Sequence, residues 1–301
     1  MKFLIFSDLH RNIGSFDGGT YEDLRFFEKR ALEEGCDFII HAGDLHHGPT
    51  YKDNGEFTEF YNNLRVPTYH CLGNHDADRT PYEEVLRRYK MEEYYFIDGD
   101  TARLIVLNPN YFEKNGEYFH YSNGNYYYEN RNHLPEEQLL WLEKTIESST
   151  KPCILLSHES FERPVNAVKN SAAVREVLQK ANARRKNSVV LCINGDSHKD
   201  HLRELDGIWY WEVNSASFEI LEHRHKHYPK ELCERYKDID ATLVIEDPLC
   251  AVVTVGEHFI DIKGMKSSFL LGVTKDQTED PYTDEAGREA TAEILDRYIT
   301  F

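Results

Sequence analysis

The sequence predicts an α/β fold in which a second β-sheet packs on the first. Through the first two-thirds of the 301 residues, short apolar runs typical of buried strands alternate with stretches whose apolar residues recur at helical spacing. After residue 207, apolar runs follow one another without strong helices between them. The first pattern indicates a largely buried sheet with flanking helices, and the second indicates further strands that cover it.

Six apolar runs define the strands of the α/β part. They are KFLIFS (2–7), DFIIHAG (37–43), PTYHCLG (67–73), ARLIVLN (102–108), PCILLSH (152–158) and SVVLCING (188–195). Helices are predicted between them, over residues 20–35, 82–90, 134–149 and 171–185. The first helix is the best defined, because Thr20 and Asp23 form a capping-box pattern and Gly35 is a typical helix end.

The last third predicts further strands at 207–214, 241–247, 250–256 and 258–264, with a hairpin across Gly256 and Glu257. We expect one domain over residues 1–274, followed by an acidic C-terminal tail at 275–301 with a terminal helix near 284–298. The tyrosine-dense stretch 110–133 interrupts the alternation and is predicted to be a long loop or insertion. Its rings either stack on a nucleobase of the substrate or anchor the loop to the sheets, and the second interpretation is favoured.

The composition excludes several classes of protein. Lysine and arginine number 35 against 53 aspartates and glutamates, a net charge of −18, and no basic stripe of the kind that binds duplex DNA is present. No apolar run approaches the roughly 20 residues that span a bilayer, and the run in MKFLIFSDLH is too short for a secretory signal. The six cysteines are scattered singly, as is typical of reduced thiols. We expect a cytoplasmic protein that acts on small or protein-borne substrates, without a membrane or nucleic acid partner; the composition does not define an oligomeric state.

Residues able to bind a metal ion follow five of the six apolar runs. They are Asp8 and His10, then Asp44, then Asn74, His75 and Asp76, then His158, and finally Asp196 and His198. Ligands in open α/β sheets collect beyond the carboxyl ends of the strands, so these side chains are expected to meet although they span 190 residues. Aspartate and asparagine oxygens together with imidazole nitrogens suit Mn²⁺, Fe²⁺, Fe³⁺ or Zn²⁺. Two such ions can share an aspartate and a water and hold a phosphate for in-line attack.

The motifs DLH, GD, GNHD, SH and GDSH, in this order over residues 8–198, resemble the calcineurin-like metallophosphoesterase superfamily, whose pattern is DxH, GD, GNH[DE], H and GHxH. The resemblance implies two packed mixed β-sheets flanked by helices, an αββα sandwich, and phosphoester hydrolysis by a hydroxide that bridges two metal ions. It implies a first ion held by Asp8, His10, Asp44 and His198, with Asp44 bridging to a second ion held by Asn74, His158 and the residue at position 196. It also implies that His75 is the catalytic histidine, which contacts the phosphate and assists the leaving oxygen, and that Asp76 orients it.

The sequence departs from this pattern at two positions. Asp196 stands where the superfamily has a histidine, so a third carboxylate lowers the charge of the centre by one. We expect this change to disfavour a phosphate dianion relative to a diester monoanion, or to favour a trivalent ion; alternatively, His201 replaces Asp196 as the ligand. His47 stands where purple acid phosphatases carry a tyrosine ligand, and it is expected, like His46, at most to line the rim.

The function that these observations favour is hydrolysis of a phosphodiester or a nucleotide-type phosphoester at a dinuclear centre. One alternative is a phosphomonoesterase similar to the purple acid phosphatases. A second alternative, of a different class, is a scaffold that binds metal ions but is catalytically silent. His75 argues against the scaffold, because a silent cleft needs no residue that assists a leaving group.

Overall fold

The computed structural model describes residues 1–11, 16, 18–47, 51–165, 167–221, 223–274, 277–278 and 287–301, with only the backbone of residues 51–53. Its strands, in chain order, are β1 (Lys2–Phe6), β2 (Phe38–His41), β3 (Thr68–His70), β4 (Tyr95–Asp98), β5 (Arg103–Val106), β6 (Tyr111–Lys114), β7 (Glu117–His120), β8 (Asn130–Arg131), β9 (Cys153–Leu156), β10 (Val189–Asn194), β11 (His201–Leu205), β12 (Ile208–Glu212), β13 (Phe218–Ile220), β14 (Thr242–Val244), β15 (Ala251–Val255), β16 (Phe259–Lys263), β17 (Met265–Lys266), β18 (Glu293–Ile294) and β19 (Arg297–Thr300). Its α-helices are α1 (Tyr21–Glu34), α2 (Tyr51–Asn62), α3 (Tyr82–Tyr89), α4 (Glu136–Glu147), α5 (Ser171–Arg184) and α6 (Lys230–Arg235). None of the described helices is long and apolar enough to cross a membrane.

Two six-stranded mixed sheets form the centre of the fold. The strand order of the first is β19-β16-β15-β1-β2-β3, in which β1, β2 and β3 are parallel and the other neighbours are antiparallel. The order of the second is β11-β12-β10-β9-β5-β4, in which the four inner strands are parallel and the two edge strands antiparallel. The predicted fold class, two packed mixed sheets flanked by helices, is confirmed.

Alternate residues of the central strands face opposite layers. In β1, Phe3 and Ile5 enter the layer between the two sheets, whereas Leu4 and Phe6 face the layer beneath α1, α2 and α3. On the other side of the molecule, Leu178 of α5 packs on the outer face of the second sheet. All five side chains are fully buried, and burial of one such side chain contributes roughly 1.5–3 kcal/mol. These continuous apolar layers fix where the strands end, and therefore where the loops that follow them meet.

The predicted helix over residues 20–35 is present as α1, with the ends that its sequence indicated. The Asp23 amide donates to the Thr20 hydroxyl at 3.1 Å, and the Thr20 amide donates to the Asp23 carboxylate at 2.7 Å. Gly35 ends the helix with a φ of 67°, a conformation that glycine adopts without strain. The other three predicted helices are present as α3, α4 and α5.

The predicted hairpin across Gly256 and Glu257 is present as β15 and β16. Helix α2, in contrast, has no counterpart in the sequence-based prediction, because Gly55 near its middle disfavours a helix. Phe57 and Tyr61 of this helix are fully buried in the layer beside the first sheet. Tertiary burial therefore overrides a weak local propensity.

The predicted terminal helix near 284–298 is wrong for the described part of that range. Residues 293–294 form β18, and 297–300 form β19, which pairs antiparallel with β16 at the edge of the first sheet. Ile294 and Ile299 are buried in the layer between the sheets, and this burial overrides the helical propensity of the sequence. Residues 297–300 are thus part of the sandwich and not of a separate tail; residues 284–286 lie outside the described residues.

The tyrosine-dense stretch 110–133 is folded and is not a long loop. Strands β6, β7 and β8 form a small antiparallel sheet in the order β7-β6-β8. Tyr121 and Tyr126 are fully buried beside the first sheet, and their rings stack with centroids 4.0 Å apart. This packing agrees with the interpretation that the tyrosines anchor the stretch to the sandwich.

Candidate metal centre

The candidate centre lies at the edge where the carboxyl ends of strands from both sheets meet. The predicted site residues occupy the loops that follow β1 (Asp8 and His10), β2 (Asp44), β3 (Asn74, His75 and Asp76), β9 (His158) and β10 (Asp196 and His198). The structure brings side chains from all five loops together. Their role as metal ligands stays a prediction that the geometry below supports.

The loops of the centre have an unusual backbone. Five of the predicted ligands have φ between 51° and 64°: Asp8, His10, Asp44, Asp196 and His198. This left-handed conformation costs free energy in residues other than glycine, and it concentrates at functional sites. Several backbone hydrogen bonds join the first two loops, among them those from the Asp8 amide to the Gly43 carbonyl at 3.1 Å and from the His10 amide to the Asp44 carbonyl at 3.0 Å.

Two glycines of the motifs are required by close approach. A Cβ at Gly73 would lie 2.1 Å from Oδ1 of Asp44, and a Cβ at Gly43 would lie 2.2 Å from Nδ1 of His158. No side chain fits at either position without displacing a predicted ligand. The glycines of GD and GNHD therefore allow the loops to pass close beside the ligands.

Asp8, His10 and His198 form the first group of possible ligands, and all three are buried. Nε2 of His198 lies 3.3 Å from Oδ1 of Asp8, and Nε2 of His10 lies 3.6 Å from the same oxygen. The two imidazoles face each other with their Nε2 atoms 3.2 Å apart. The Ser7 hydroxyl and the Asp196 amide donate to the other oxygen of Asp8. Oδ1 is therefore left facing the imidazoles.

Asp44, Asp8 and His158 form a second group. Nε2 of His158 lies 3.2 Å from Oδ2 of Asp44, and Nε2 of His10 lies 3.7 Å from the same oxygen. Asp44 thus lies between histidines from the two halves of the centre, which is the position of a carboxylate shared by two ions. Asn74 lines the same cavity.

The buried groups of the centre are arranged to hold cations. Nδ1 of His158 donates to the Ala42 carbonyl at 2.7 Å, and Nδ1 of His198 donates to the Phe218 carbonyl at 2.8 Å. Each ring therefore presents Nε2 to the carboxylates, as metal-binding histidines do. Nε2 of His158 and Oδ1 of Asp8 are buried without a hydrogen-bond partner, which is costly unless a ligand satisfies them. These residues fit a site for first-row metal ions.

The charges of the centre also indicate that it binds cations. Burial alone would raise the pKa of Asp8, but the neighbouring His198 and His158 outweigh burial and hold that pKa well below its usual value. Burial alone would lower the pKa of His158, but Asp44 and Asp8 outweigh it and raise that pKa well above its usual value. The centre therefore combines ionised carboxylates with a strong preference for positive charge between them.

His75 is oriented by Asp78 and not by Asp76, which corrects the assignment made from the sequence. Nδ1 of His75 lies 2.6 Å from Oδ2 of Asp78. Asp76 instead accepts hydrogen bonds from the Gly73 amide at 2.9 Å and the Tyr89 hydroxyl at 2.7 Å. The GNHD motif continues into a 3₁₀ turn, in which residues three apart lie on the same face. Asp78 is therefore the carboxylate that reaches His75, and Asp76 holds the turn.

The environment of His75 fixes its charge. Burial alone would lower its pKa, but Asp44 and Asp78 outweigh burial and raise the pKa of His75 to about 9. The Tyr126 hydroxyl donates to the other oxygen of Asp78. His75 is thus held as an imidazolium whose Nδ1 is engaged by Asp78 and whose Nε2 remains for the cavity.

The Asp196 carboxylate pairs with the guanidinium of Arg163. Its other oxygen lies 4.0 Å from Nε2 of His158, so the carboxylate is close to the centre but is shared with an arginine. The positive charge of Arg163 offsets the additional carboxylate that the sequence places here. The alternative ligand, His201, is not among the described residues that line the cavity, and it pairs across from Glu212 in the β11–β12 ladder.

His47 belongs to the centre, although the sequence placed it at most on the rim. Its Nδ1 lies 3.0 Å from Nδ1 of His10, and its ring stacks on His75 with centroids 4.0 Å apart. These three histidines form a further group of possible ligands. His46, in contrast, is buried with its Nε2 2.7 Å from the Thr58 hydroxyl. The sequence signal for His47 is its position three residues after Asp44, where the purple acid phosphatases carry a ligand.

A cavity of about 380 Å³ opens onto the centre. The described residues that line it are His10, Asp44, His47, Asn74, His75, Arg131, Asn132, Arg163, Val165, Asp196, Ser197, His198, Lys199, Glu219, Ile220 and Arg288. Arg131 and Asn132 come from the tyrosine-dense stretch, but none of these lining residues is a tyrosine. The structure therefore does not support a cap of tyrosines that stacks on a base.

Comparison with known proteins supports the relationship that the motifs indicate. The family model of the calcineurin-like phosphoesterases matches residues 1–200. No curated protein matches the chain. A dimetal phosphatase from Danio rerio has a similar structure, with 13% identity, a TM-score of 0.64, and coverage of 100% of this chain and 99% of its own. GAP50, the anchor in the inner membrane complex of Plasmodium, has 13% identity, a TM-score of 0.55, and coverage of 88% of this chain and 84% of its own. At these identities the structural likeness shows the fold alone.

Proposed function

The chain belongs to the calcineurin-like phosphoesterase family and is a metal-dependent phosphoester hydrolase, and we propose that its substrate is a small phosphodiester or nucleotide-type phosphoester. The observation that carries this proposal is that buried carboxylates and imidazoles adjoin His75 in one cavity. The cavity volume of about 380 Å³ lies within the range of roughly 300–1,000 Å³ that small organic ligands occupy. The cavity therefore has room for an organic group beside the phosphoryl group.

Two ions would be held by residues of the two halves of the centre. Asp8, His10, His198 and Asp44 are assigned to one ion, and Asp44, Asn74, His158 and Asp196 to the other. Oxygen and nitrogen ligands without thiolate suit Mn²⁺, Fe²⁺, Fe³⁺ or Zn²⁺. When bound, such ions supply Lewis acidity that activates water and neutralises charge on the phosphoester.

His75 supplies the proton to the leaving oxygen in this proposal. Asp44 and Asp78 outweigh burial and raise the pKa of His75 to about 9; because bound cations would offset the charge of Asp44, Asp78 is the carboxylate assigned to keep the ring protonated in the loaded enzyme. Asp78 holds Nδ1, so the proton on Nε2 is the one available to a substrate. A proton donor positioned in this way contributes roughly 10²- to 10⁴-fold to a rate.

A phosphomonoesterase is the second candidate, and the pair of Asp196 and Arg163 favours it. An uncompensated third carboxylate would disfavour a dianionic monoester. The guanidinium of Arg163 compensates that carboxylate, so a dianion is less disfavoured than the sequence alone indicated.

The experiment that tests the proposal removes bound metal with a chelator and adds back Mn²⁺, Fe²⁺ or Zn²⁺ one at a time. Turnover is then measured with bis(p-nitrophenyl) phosphate, p-nitrophenyl phosphate and a cyclic nucleotide. We expect the diester or the nucleotide to be the better substrate, and the His75→Asn variant to keep its metal but to lose turnover. A higher rate with the monoester would support the second candidate. Two bound ions without turnover of any ester would overturn the proposed function and leave a scaffold.

A further inference from the structure

We propose that Arg131 binds a second anionic group, a phosphate or a carboxylate, on the leaving-group part of the substrate. The inference rests on the proposed function and names the substrate class more closely. The substrate would be a phosphoester whose leaving alcohol itself carries an anion.

The first observation is the charge balance of the cavity. Four cationic side chains line it: Arg131, Arg163, Lys199 and Arg288. Three of them have carboxylate partners, since Arg163 pairs with Asp196, Lys199 with Glu219 at 3.0 Å, and Arg288 with Glu212. Within the described part of the chain, Arg131 has no such partner. In a protein with a net charge of −18, a cation without an acidic partner in the cavity of the active site requires an explanation.

The acidic residues beside Arg131 in sequence are engaged elsewhere. Glu129 pairs with Lys114 at 2.7 Å. Glu113, on the neighbouring strand, accepts from the Gly116 amide at 2.6 Å and from the Asn130 amide group at 3.2 Å. These two carboxylates are therefore engaged without Arg131, which leaves its guanidinium for another anion.

The position of Arg131 is well defined. Its backbone pairs with Phe112 in the small sheet. The following residue, Asn132, is fixed by the Tyr121 hydroxyl, which accepts from the Asn132 amide at 2.9 Å and donates to its side-chain oxygen at 2.6 Å. The guanidinium lies over the ring of Tyr126, 5.9 Å from its centroid. Such an arginine is held in place before a ligand arrives, which lowers the entropic cost of binding.

The same tyrosine connects Arg131 to His75, and both residues line the cavity. The Tyr126 hydroxyl donates to Asp78, and Asp78 in turn holds Nδ1 of His75. His75 is the proposed donor to the leaving oxygen, so Arg131 lies on the side to which the leaving group points. A guanidinium recognises phosphate and carboxylate alike through paired N–H groups. An anion on the leaving group is therefore the ligand that fits this position.

The test compares substrates that differ only in an anion on the leaving group. Phenyl phosphate is compared with p-carboxyphenyl phosphate and with p-phenylene bisphosphate, or the methyl diesters of each if the enzyme hydrolyses only diesters. We expect a lower KM for the ester with the additional anion, and the arm with the larger gain identifies carboxylate or phosphate as the preferred group. Arg131→Gln should remove most of this preference, on the order of tenfold in KM, as expected for one hydrogen-bonded charge pair. Arg131→Lys, which keeps the charge but loses the fork of N–H groups, should keep part of it.

Arg25→Gln is the control, since Arg25 also lies over an aromatic ring, that of Phe60 at 5.6 Å, but is not among the residues that line the cavity. Its KM values should equal those of the wild type. Equal KM for the plain and the anionic esters in the wild type would overturn the role of Arg131, as would an Arg131→Gln variant that raises both KM values equally. Failure of the metal-loaded wild type to hydrolyse any of the esters would instead overturn the proposed function itself.

Discussion

The two halves of the centre hold their ligands in different ways. In the first half, the Ser7 hydroxyl and the Asp196 backbone amide hold Asp8, and the Phe218 carbonyl holds His198. In the second half, the Ala42 carbonyl holds His158 in the same way, but Asp196 is paired with Arg163, a residue that lines the cavity. A residue that lines the cavity thus shares one predicted ligand of the second half. The difference indicates that the first half is built to retain an ion and that the second half is coupled to the substrate pocket.

Asp44 contacts both halves, so its removal should have the largest effect. In Asp44→Asn, an uncharged amide replaces the carboxylate that faces His158 and His10. We expect metal content to fall below two ions and kcat/KM to fall more than roughly 100-fold, beyond the 10- to 100-fold range of residues that only support ligands. Metal analysis and steady-state kinetics measure both effects, and Asp261→Asn on β16 is the control. Retention of two ions at normal activity would contradict the assignment of Asp44.

Chelation tests the difference between the halves directly. We expect a chelator to remove the two ions at different rates, the ion of the second half first, because one of its predicted ligands is shared with Arg163. His158→Ala should bind one ion that resists the chelator, whereas His198→Ala should leave only a labile ion. Metal content followed by mass spectrometry during dialysis against the chelator gives the rates. Loss of both ions at a single rate would show that the halves are equivalent.

Asp78 acts on His75 and not on a predicted ligand. In Asp78→Asn, the ring of His75 loses the carboxylate that orients it and keeps it protonated. We expect kcat to fall roughly 10- to 100-fold, the range of a residue that supports a functional imidazole, while KM and metal content stay unchanged. Tyr126→Phe should show a smaller decrease of the same kind. A loss of metal in Asp78→Asn would mean that the residue supports the centre and not the proton donor.

The residues that sequence reasoning could find are those that follow a strand directly. Asp8, Asp44 and His158 each come after an apolar run, and the parallel strands bring their ends to one edge. The contact between Asp78 and His75 could not be predicted, because it depends on a 3₁₀ turn. The sequence shows only that another aspartate, Asp76, directly follows the histidine. Arg163 could not be assigned to Asp196, because the pair is 33 residues apart and joins two loops.

The C-terminal strand β19 shows the same limit for the fold. The helix is predicted from the residues before it, but Tyr298, Ile299 and Thr300 favour a strand, and the edge of β16 and the apolar layer below it determine the conformation. Local sequence patterns therefore predicted those strands and helices in which the tertiary packing requires the same conformation that the local sequence favours. Contacts between distant segments determined the rest.

The smallest expected effect is that of the charge at position 196, and it separates the contribution of the carboxylate from that of its arginine. Asp196→His makes the centre more positive, so we expect the monoester-to-diester ratio of kcat/KM to rise a few-fold, by about 1 kcal/mol at intermediate dielectric, and the ion of the second half to be retained longer. Arg163→Gln leaves the carboxylate uncompensated and should lower the same ratio.

Because each change removes one partner of a largely buried pair, each alone should lower the free energy of unfolding. The double variant should recover part of the stability, since it leaves no charge unpaired, whereas its ratio should return toward the wild-type value in any case because the two single changes shift it in opposite directions. Denaturant titrations and kinetics on the wild type, the two single variants and the double variant measure the coupling between the two residues. Additive changes in the free energy of unfolding would mean that Arg163 and Asp196 act independently, and that no residue of the cavity influences the second half.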